Sequence, residues 1–311
     1  MKVCVIGAGG WGKNHINTLN KLGALSGIVD SNRTLLNSYK DINEECILYN
    51  TLDDAINQDF DGFIIATPAE THFEIAKKLI KNSHNILIEK PICLKYEEAK
   101  KIENLAIEKD CFVMGGHLLL FHPAYIKIKK LLTDNHIGDI KYIYSNRINF
   151  GKIRFNENVL WSLAPHDISL FLHFADSEIV NVSSSSSFII GSQISDSSTF
   201  GLKFSNGIDS HSFVSWYHPF KEHRFVVIGE NGMISYEDSS NEKNIELHRK
   251  FISKDGELID KGTDFIDYED GSALENQLSF FLESIKNKSN HNYSNLKLSV
   301  KIIETLEKLE K

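Results

Sequence analysis

Lys90 has the strongest claim on chemistry. It ends the apolar run NILIEK and precedes Pro91, so an ammonium stands at the mouth of a predicted buried strand. There it can hydrogen-bond a reacting hydroxyl and stabilise alkoxide character as hydride leaves the adjoining carbon. Most lysines are solvated charges, but the ends of strands are where ligands of open α/β sheets collect. Hydride needs an acceptor, and Gly7, Gly9 and Gly12 form GxGxxG between the first apolar run, KVCVI, and a helical pattern. In that context Gly7 permits a tight turn, Gly9 lets backbone approach a pyrophosphate, and Gly12 allows close helix–sheet packing. The helix N-terminus adds N–H donors and a positive dipole end. Asp30 stands 18 residues beyond Gly12, where a carboxylate can accept from both ribose hydroxyls, which favours NAD over NADP. Arg33 reads either as a solvated cation or as a contact to a 2′-phosphate, which Asp30 would repel.

The elements that must position these groups follow from periodicity. Up to about residue 120, short β-branched runs alternate with amphipathic stretches: helices over 11–22, 31–39, 53–57, 70–81 and 95–110, with the strands ALSGIVD, GFIIAT, NILIEK and CFVMGG between them. Such alternation predicts a doubly wound parallel sheet, a Rossmann domain over 1–120, with right-handed crossovers. Beyond Phe121 the rhythm changes. A helix to about residue 135, the strand IKYIYSNRINF and a helix over 161–174 precede strands over 178–191, 195–204, 207–216 and 224–236, with turns at SNG and ENG. This predicts an α+β domain over 121–311 with a large, mostly antiparallel open sheet for substrate binding and oligomerisation. Its C-terminal helices, 272–286 and 296–309, pack back on the body. Serine alternating with apolar residues leaves one sheet face polar or available to a second subunit, so a homodimer or homotetramer is expected.

GAGGWG, ATPAETH, the tripeptide EKP and the later APHD together resemble the Gfo/Idh/MocA family of NAD(P)-dependent sugar dehydrogenases, along essentially the whole chain. The resemblance implies that Lys90 is the active-site lysine and that the Lys90-Pro91 bond is cis. It also implies that Gly10, Trp11, Thr67, Pro68, His72 and Glu89 join Gly7, Gly9, Gly12, Asp30, Arg33 and Lys90 around the cofactor. His166 matches the family histidine that exchanges the substrate proton, work suited to an imidazole. Without the resemblance, a histidine on a half-buried helix is more often structural. Many members carry Asp four residues before this histidine; here the position is Ser162, whose hydroxyl cannot supply a carboxylate's charge. Asp167 is adjacent, but neighbours on a helix do not face each other.

The segment 145–166 bears most on the substrate. The chain has only five arginines, yet Arg147 and Arg154 flank a glycine here, and their planar forks suit phosphate or a surface salt bridge. Asn158 could read a sugar or base edge, and Trp161 could face a sugar ring or pack in the core. His117 and His122 either border the sugar pocket or are hydrogen-bonded structural residues. The stretch is similar to the nucleotide-sugar branch of the family, particularly UDP-N-acetylglucosamine 3-dehydrogenases. The implied reaction is NAD-dependent oxidation of the C3 hydroxyl of a UDP-sugar to a 3-keto sugar nucleotide, for amino-sugar, lipid A or surface-glycan synthesis. Oxidation of UDP-N-acetylglucosaminuronate, a free sugar or an inositol stays open, as does a non-catalytic dinucleotide-binding regulator.

Composition narrows the rest. The 311 residues are 41% hydrophobic and 24% charged, which excludes a disordered chain. A net charge of −8 without a long basic run argues against nucleic-acid and membrane partners. The apolar run at Val3–Ile6 stops at Gly7, too short for a signal-peptide core or a membrane span. Cys4, Cys46, Cys93 and Cys111 lack CxxC spacing and read as core thiols of a reducing compartment, so the expected location is the cytoplasm. His166 and His173 find no third ligand at suitable spacing, and no metal site is expected.

Overall fold

The computed structural model describes residues 1–154, 157–191, 193–287 and 296–311; Phe155 and Asn156 of the segment 145–166 lie outside them. Two compact units emerge. The first comprises Met1–Leu118 with Ser272–Glu304, and the second Leu119–Gly271 with Thr305–Lys311. The division is therefore not a single cut near residue 120, because residues 272–304 group with the N-terminal unit.

In the first unit, β1 (Val3–Ile6), β2 (Leu25–Val29), β3 (Ile47–Tyr49), β4 (Gly62–Ile65), β5 (Asn85–Ile88) and β6 (Val113–Gly115) form one sheet in the order β3-β2-β1-β4-β5-β6. Every pairing is parallel. The helices between them are α1 (Gly10–Lys21), α2 (Arg33–Asn37), α3 (Leu52–Ala55), α4 (Ala69–Lys81) and α5 (Tyr96–Glu108). Continuous Val/Ile/Leu runs such as Val3–Ile6 are buried throughout because helices cover both faces. β3 lacks such a run, being half-exposed at the sheet's edge, and periodicity does not announce it. Gly62 makes room for α8 (Ala273–Asn287): a Cβ there would come within 2.9 Å of the Phe281 ring, which is fully buried. Burying such a ring contributes roughly 1.5–3 kcal/mol. The strand order reverses between β1 and β4, so the ends of β1, β4 and β5, where Gly7, Thr67 and Lys90 follow, lie at the topological switch point.

The second unit contains α6 (Pro123–Thr133), α7 (Val159–Ala175) and an eight-stranded sheet ordered β14-β13-β12-β11-β7-β10-β9-β8. These strands are β7 (Ile140–Phe150), β8 (Ile179–Ser187), β9 (Ser197–Phe204), β10 (Asp209–Ser215), β11 (Tyr217–Gly229), β12 (Met233–Glu237), β13 (Ile245–Ile252) and β14 (Leu258–Ile266). Only β7 and β10 pair in parallel, so the mostly antiparallel expectation holds. One face buries Phe200, Val214 and Phe225, with Phe171 of α7 within ring-contact distance of both phenylalanines. On β7 and β10, Tyr144 stacks on His211 with ring centroids 5.3 Å apart. The strand expected over 224–236 is two strands, β11 and β12, folded at the ENG turn. β13 and β14 go unannounced because much of their surface is exposed and their alternation is weak. The last helix, α9, spans Leu296–Leu309.

Candidate active site

The glycine turn is shaped by close approach. Gly7 has φ +94°, and a Cβ on it would lie 2.8 Å from Ala66 O. A Cβ on Gly12 would fall 1.8 Å from Gly7 O, so α1 reaches its place against the turn only with glycine there. Gly9 and Gly10 differ: a Cβ on either meets nothing within 4 Å. Both border a cavity of about 450 Å³ that Lys13, Leu35, Ser38 and Tyr39 also line. Asp30 closes the turn from β2, its Oδ2 accepting from Ala8 N–H at 2.7 Å and its Oδ1 from Asn32 N–H at 2.8 Å. The Tyr39 hydroxyl donates to Ala8 O at 3.2 Å; burial and the nearby Asp30 charge push its pKa up. Exposed Arg33 opens α2 behind the Asn32 cap, and Trp11 in the first turn of α1 is 45% exposed. An open backbone turn at a helix N-terminus, with a fixed carboxylate beside it, fits the pyrophosphate and ribose of a dinucleotide.

At the neighbouring strand ends, the Thr71 hydroxyl donates to Thr67 Oγ1 at 2.7 Å. His72 is buried on α4, following Pro68, and spans two loops: Nδ1 lies 2.8 Å from Pro91 O and Nε2 2.8 Å from Thr67 O. The Lys90-Pro91 peptide is cis. Glu89 accepts from His15 Nε2 at 2.7 Å through Oε1 and from Lys90 N–H at 3.1 Å through Oε2. Burial works to raise the Glu89 pKa, but the hydrogen bond and field of His15, with the charge and amide of Lys90, hold it below the usual range. The sequence signal for His15 is a histidine on the buried face of α1, which it shares with Gly12, Ile16 and Leu19.

His117 is 3% exposed and its Nε2 lies 2.9 Å from Ser299 Oγ. Burial pushes its pKa down to about 4, against the pull of the Glu89 carboxylate and with a further push from the Lys90 ammonium. The folded state thus prefers the neutral ring. The resulting stability is fully present above the unfolded pKa of about 6.5 and is lost as pH falls through about 4, a contribution on the order of 3 kcal/mol. Urea unfolding of wild type and His117→Gln between pH 7 and 4 should show the flatter pH dependence in the variant. Parallel losses would refute the assignment.

In the second unit the expected substrate residues are largely engaged by protein. Arg147 on β7 is 8% exposed and makes a two-point contact with fully buried Asp167, Nε to Oδ2 at 2.9 Å and Nη2 to Oδ1 at 3.1 Å. Burial works against the Arg147 charge, and Asp167 outweighs it, holding the guanidinium pKa above its ordinary value. Arg154 pairs with Glu157 and lines a cavity of about 290 Å³ with Ile190, Gln193, buried Asp196 and Trp216. Asn158 caps α7, its Oδ1 accepting from Trp161 N–H at 3.1 Å. Glu310 then takes both neighbours, accepting from Asn158 Nδ2 at 2.6 Å and from Trp161 Nε1 at 3.0 Å. Trp161 is 6% exposed, a core residue with its indole N–H satisfied. His166 is half-buried on the same helix, one residue beyond Pro165, and its carbonyl accepts from Ser169 Oγ at 2.7 Å. Ser162 is buried. His122 caps α6 and lies among Tyr125, Tyr236 and Tyr268. Among the described residues no cluster of three or more His, Cys, Asp or Glu could hold a metal ion.

Comparison with known proteins adds the family. The NAD-binding Rossmann model of the Gfo/Idh/MocA oxidoreductases matches residues 1–117, and the model of their C-terminal domain matches residues 125–235. The chain belongs to the Gfo/Idh/MocA family. A Gfo/Idh/MocA relative, UDP-N-acetylglucosamine 3-dehydrogenase from Acidithiobacillus ferrooxidans, is 29% identical over 58% of this chain and 56% of its own length. The aligned stretch therefore spans little more than half of that curated relative. Inositol 2-dehydrogenase 1 from Saccharopolyspora erythraea is 24% identical over 76% of this chain and 73% of its own. Solved structures agree on the Gfo/Idh/MocA fold. That of the A. ferrooxidans enzyme, GnnA, superposes with a TM-score of 0.88 at 21% identity, covering 99% of this chain and 96% of the other. GenD2 from gentamicin A biosynthesis, in complex with NAD, has a TM-score of 0.84 at 19% identity over 100% and 93% of the two chains.

Proposed function

We propose that this oxidoreductase uses NAD to oxidise the C3 hydroxyl of a UDP-sugar, UDP-N-acetylglucosamine first among them, to the 3-keto sugar nucleotide. The observation that carries the reading is that Lys90, two residues beyond β5, follows a strand of the same parallel sheet whose β1 leads into an open glycine turn backed by Asp30. The likeness to the A. ferrooxidans dehydrogenase supports the substrate. Gly7, Gly9, Gly10, Trp11 and Gly12 would cradle the pyrophosphate, and Asp30 would take the ribose hydroxyls and disfavour NADP. Bound NAD supplies the hydride acceptor. Lys90 donates a hydrogen bond to the C3 oxygen and stabilises its developing charge, while His166 accepts the hydroxyl proton as the C3–H electron pair departs. In the reductive direction His166 returns that proton. The ketone is suited to a transaminating enzyme that builds amino sugars for lipid A or surface glycans.

Purified protein mixed with NAD and UDP-N-acetylglucosamine should raise absorbance at 340 nm, and added UDP should compete. The internal pairing of Arg147 favours a second reading, a sugar or inositol without a nucleotide, consistent with the inositol dehydrogenase relative. Turnover of a free polyol that UDP does not inhibit would replace the first reading with the second.

The reading also includes self-association and a cytoplasmic setting. Exposed Val180, Tyr217, Phe220 and Phe265 on strands of the eight-stranded sheet support a homodimer or homotetramer. Sedimentation that finds only monomer at micromolar concentration would remove this part. Among the described residues Cys4, Cys46, Cys93 and Cys111 form no disulfide, which suits a reducing compartment. Among the described residues no helix is long and apolar enough to cross a membrane.

A further inference from the structure

We propose that His15 is a positioning residue for Lys90, acting through Glu89; the proposal rests on the reading that Lys90 handles the substrate hydroxyl. The three residues lie in one unit and are joined by two hydrogen bonds. The Glu89 carboxylate is held at one oxygen by His15 Nε2–H at 2.7 Å and offers the other to the Lys90 amide at 3.1 Å. His15 is fully buried and Glu89 is 9% exposed. The carboxylate is also walled in. A Cβ on Gly116 would come 3.1 Å from Glu89 Oε2 and 3.2 Å from Glu89 Cα, so the backbone packs flat against it.

Apolar packing alone does not account for a histidine here. Nδ1 of His15 is buried without a hydrogen-bond partner among the described residues, so its one observed hydrogen bond is the one to Glu89. An apolar side chain on this face of α1, beside Ile16 and Leu19, would pack as well but would leave the buried Glu89 carboxylate without its N–H partner. What it could not do is hold the Glu89 carboxylate ionised and aimed at the Lys90 backbone. His15 lies one helical turn beyond Gly12, so the same short helix that opens at the glycine turn also fixes the residue next to Lys90. Loss of its N–H would let the buried carboxylate take up a proton and remove a negative charge that interacts with the Lys90 ammonium, so Lys90 should titrate at lower pH.

The test compares the full chain with His15→Leu, His15→Gln and Glu89→Gln. Lys90 is titrated by 13C NMR of reductively methylated lysines, its resonance assigned by loss in Lys90→Arg; kcat is followed with UDP-N-acetylglucosamine, and NADH affinity by quenching of tryptophan fluorescence. His15→Leu should lower kcat on the order of 10²-fold and move the Lys90 titration down, with NADH affinity within about threefold of wild type. His15→Gln keeps an N–H donor and should remain within about tenfold in kcat. A folded His15→Leu with wild-type kcat and an unmoved Lys90 titration overturns the proposal. If His15→Leu does not fold, Glu89→Gln decides: a lowered Lys90 titration supports the proposal, and an unmoved one overturns it. If wild type turns over no UDP-sugar, the substrate reading falls, and the Lys90 titration in the variants still decides for or against positioning.

Discussion

Replacing Lys90 with alanine is expected to lower kcat about 10³-fold while leaving NAD affinity within about threefold of wild type. The size follows from its proposed work. A hydrogen bond to the C3 oxygen strengthens as alkoxide character grows, so removing it costs transition-state stabilisation more than ground-state binding. Lys90→Arg keeps a positive charge but replaces a compact ammonium by a planar fork, and should recover little of the loss. The controls are equilibrium binding of NADH and the pH profile of kcat/KM, whose basic limb should change in the lysine variants. An alanine variant with kcat within about fivefold of wild type would remove Lys90 from the chemistry and leave it a cofactor contact.

The part of the fold that the sequence makes legible is the part whose residues are buried on both faces. Val3–Ile6, Gly62–Ile65 and Asn85–Ile88 read as strands because helices on either side require apolar residues at nearly every position. The glycine turn and Lys90 are legible for a related reason: each sits directly after such a strand, so one parallel sheet brings them to one edge. What the sequence hides are partners far apart along the chain. Asp167 lies 20 residues from Arg147, and as the neighbour of His166 it invites comparison with the wrong residue. Glu310 lies 149 residues from Trp161, in a polar stretch with no signal of its own. Side-chain type indicates that an arginine fork or an indole N–H will seek a partner, but not whether that partner is a ligand or the chain itself. β13 and β14 are hidden for the opposite reason to β1: their exposed positions relax the alternation that marks a strand.

The largest stability effect should come from breaking the Arg147–Asp167 pair. Asp167 is fully buried and Arg147 nearly so, and both nitrogens of the fork that face Asp167 are taken. Asp167→Leu leaves a guanidinium in the interior without its counter-charge, a change that costs about 3–5 kcal/mol. At roughly 2–4 °C per kcal/mol for a unit of this size, the melting temperature should fall by about 6–20 °C. His223, which lies opposite Arg147 in the β7–β11 register, adds no second positive charge there: burial and the Arg147 charge push that imidazole down to about 4, so it is neutral. Removing both charges is different, because two apolar side chains demand no counter-ion. Arg147→Met with Asp167→Leu should recover most of the loss, within about 1 kcal/mol of wild type. The double variant also decides what the fork is for. If the pair is purely internal, KM for the UDP-sugar stays within about threefold of wild type in this folded protein. If the guanidinium reaches a substrate phosphate, KM rises by tenfold or more, since a charge-assisted contact is worth about 1.5–3 kcal/mol. A double variant as unstable as Asp167→Leu alone would instead mean that the packing around the pair, not its charge balance, sets the stability of this unit.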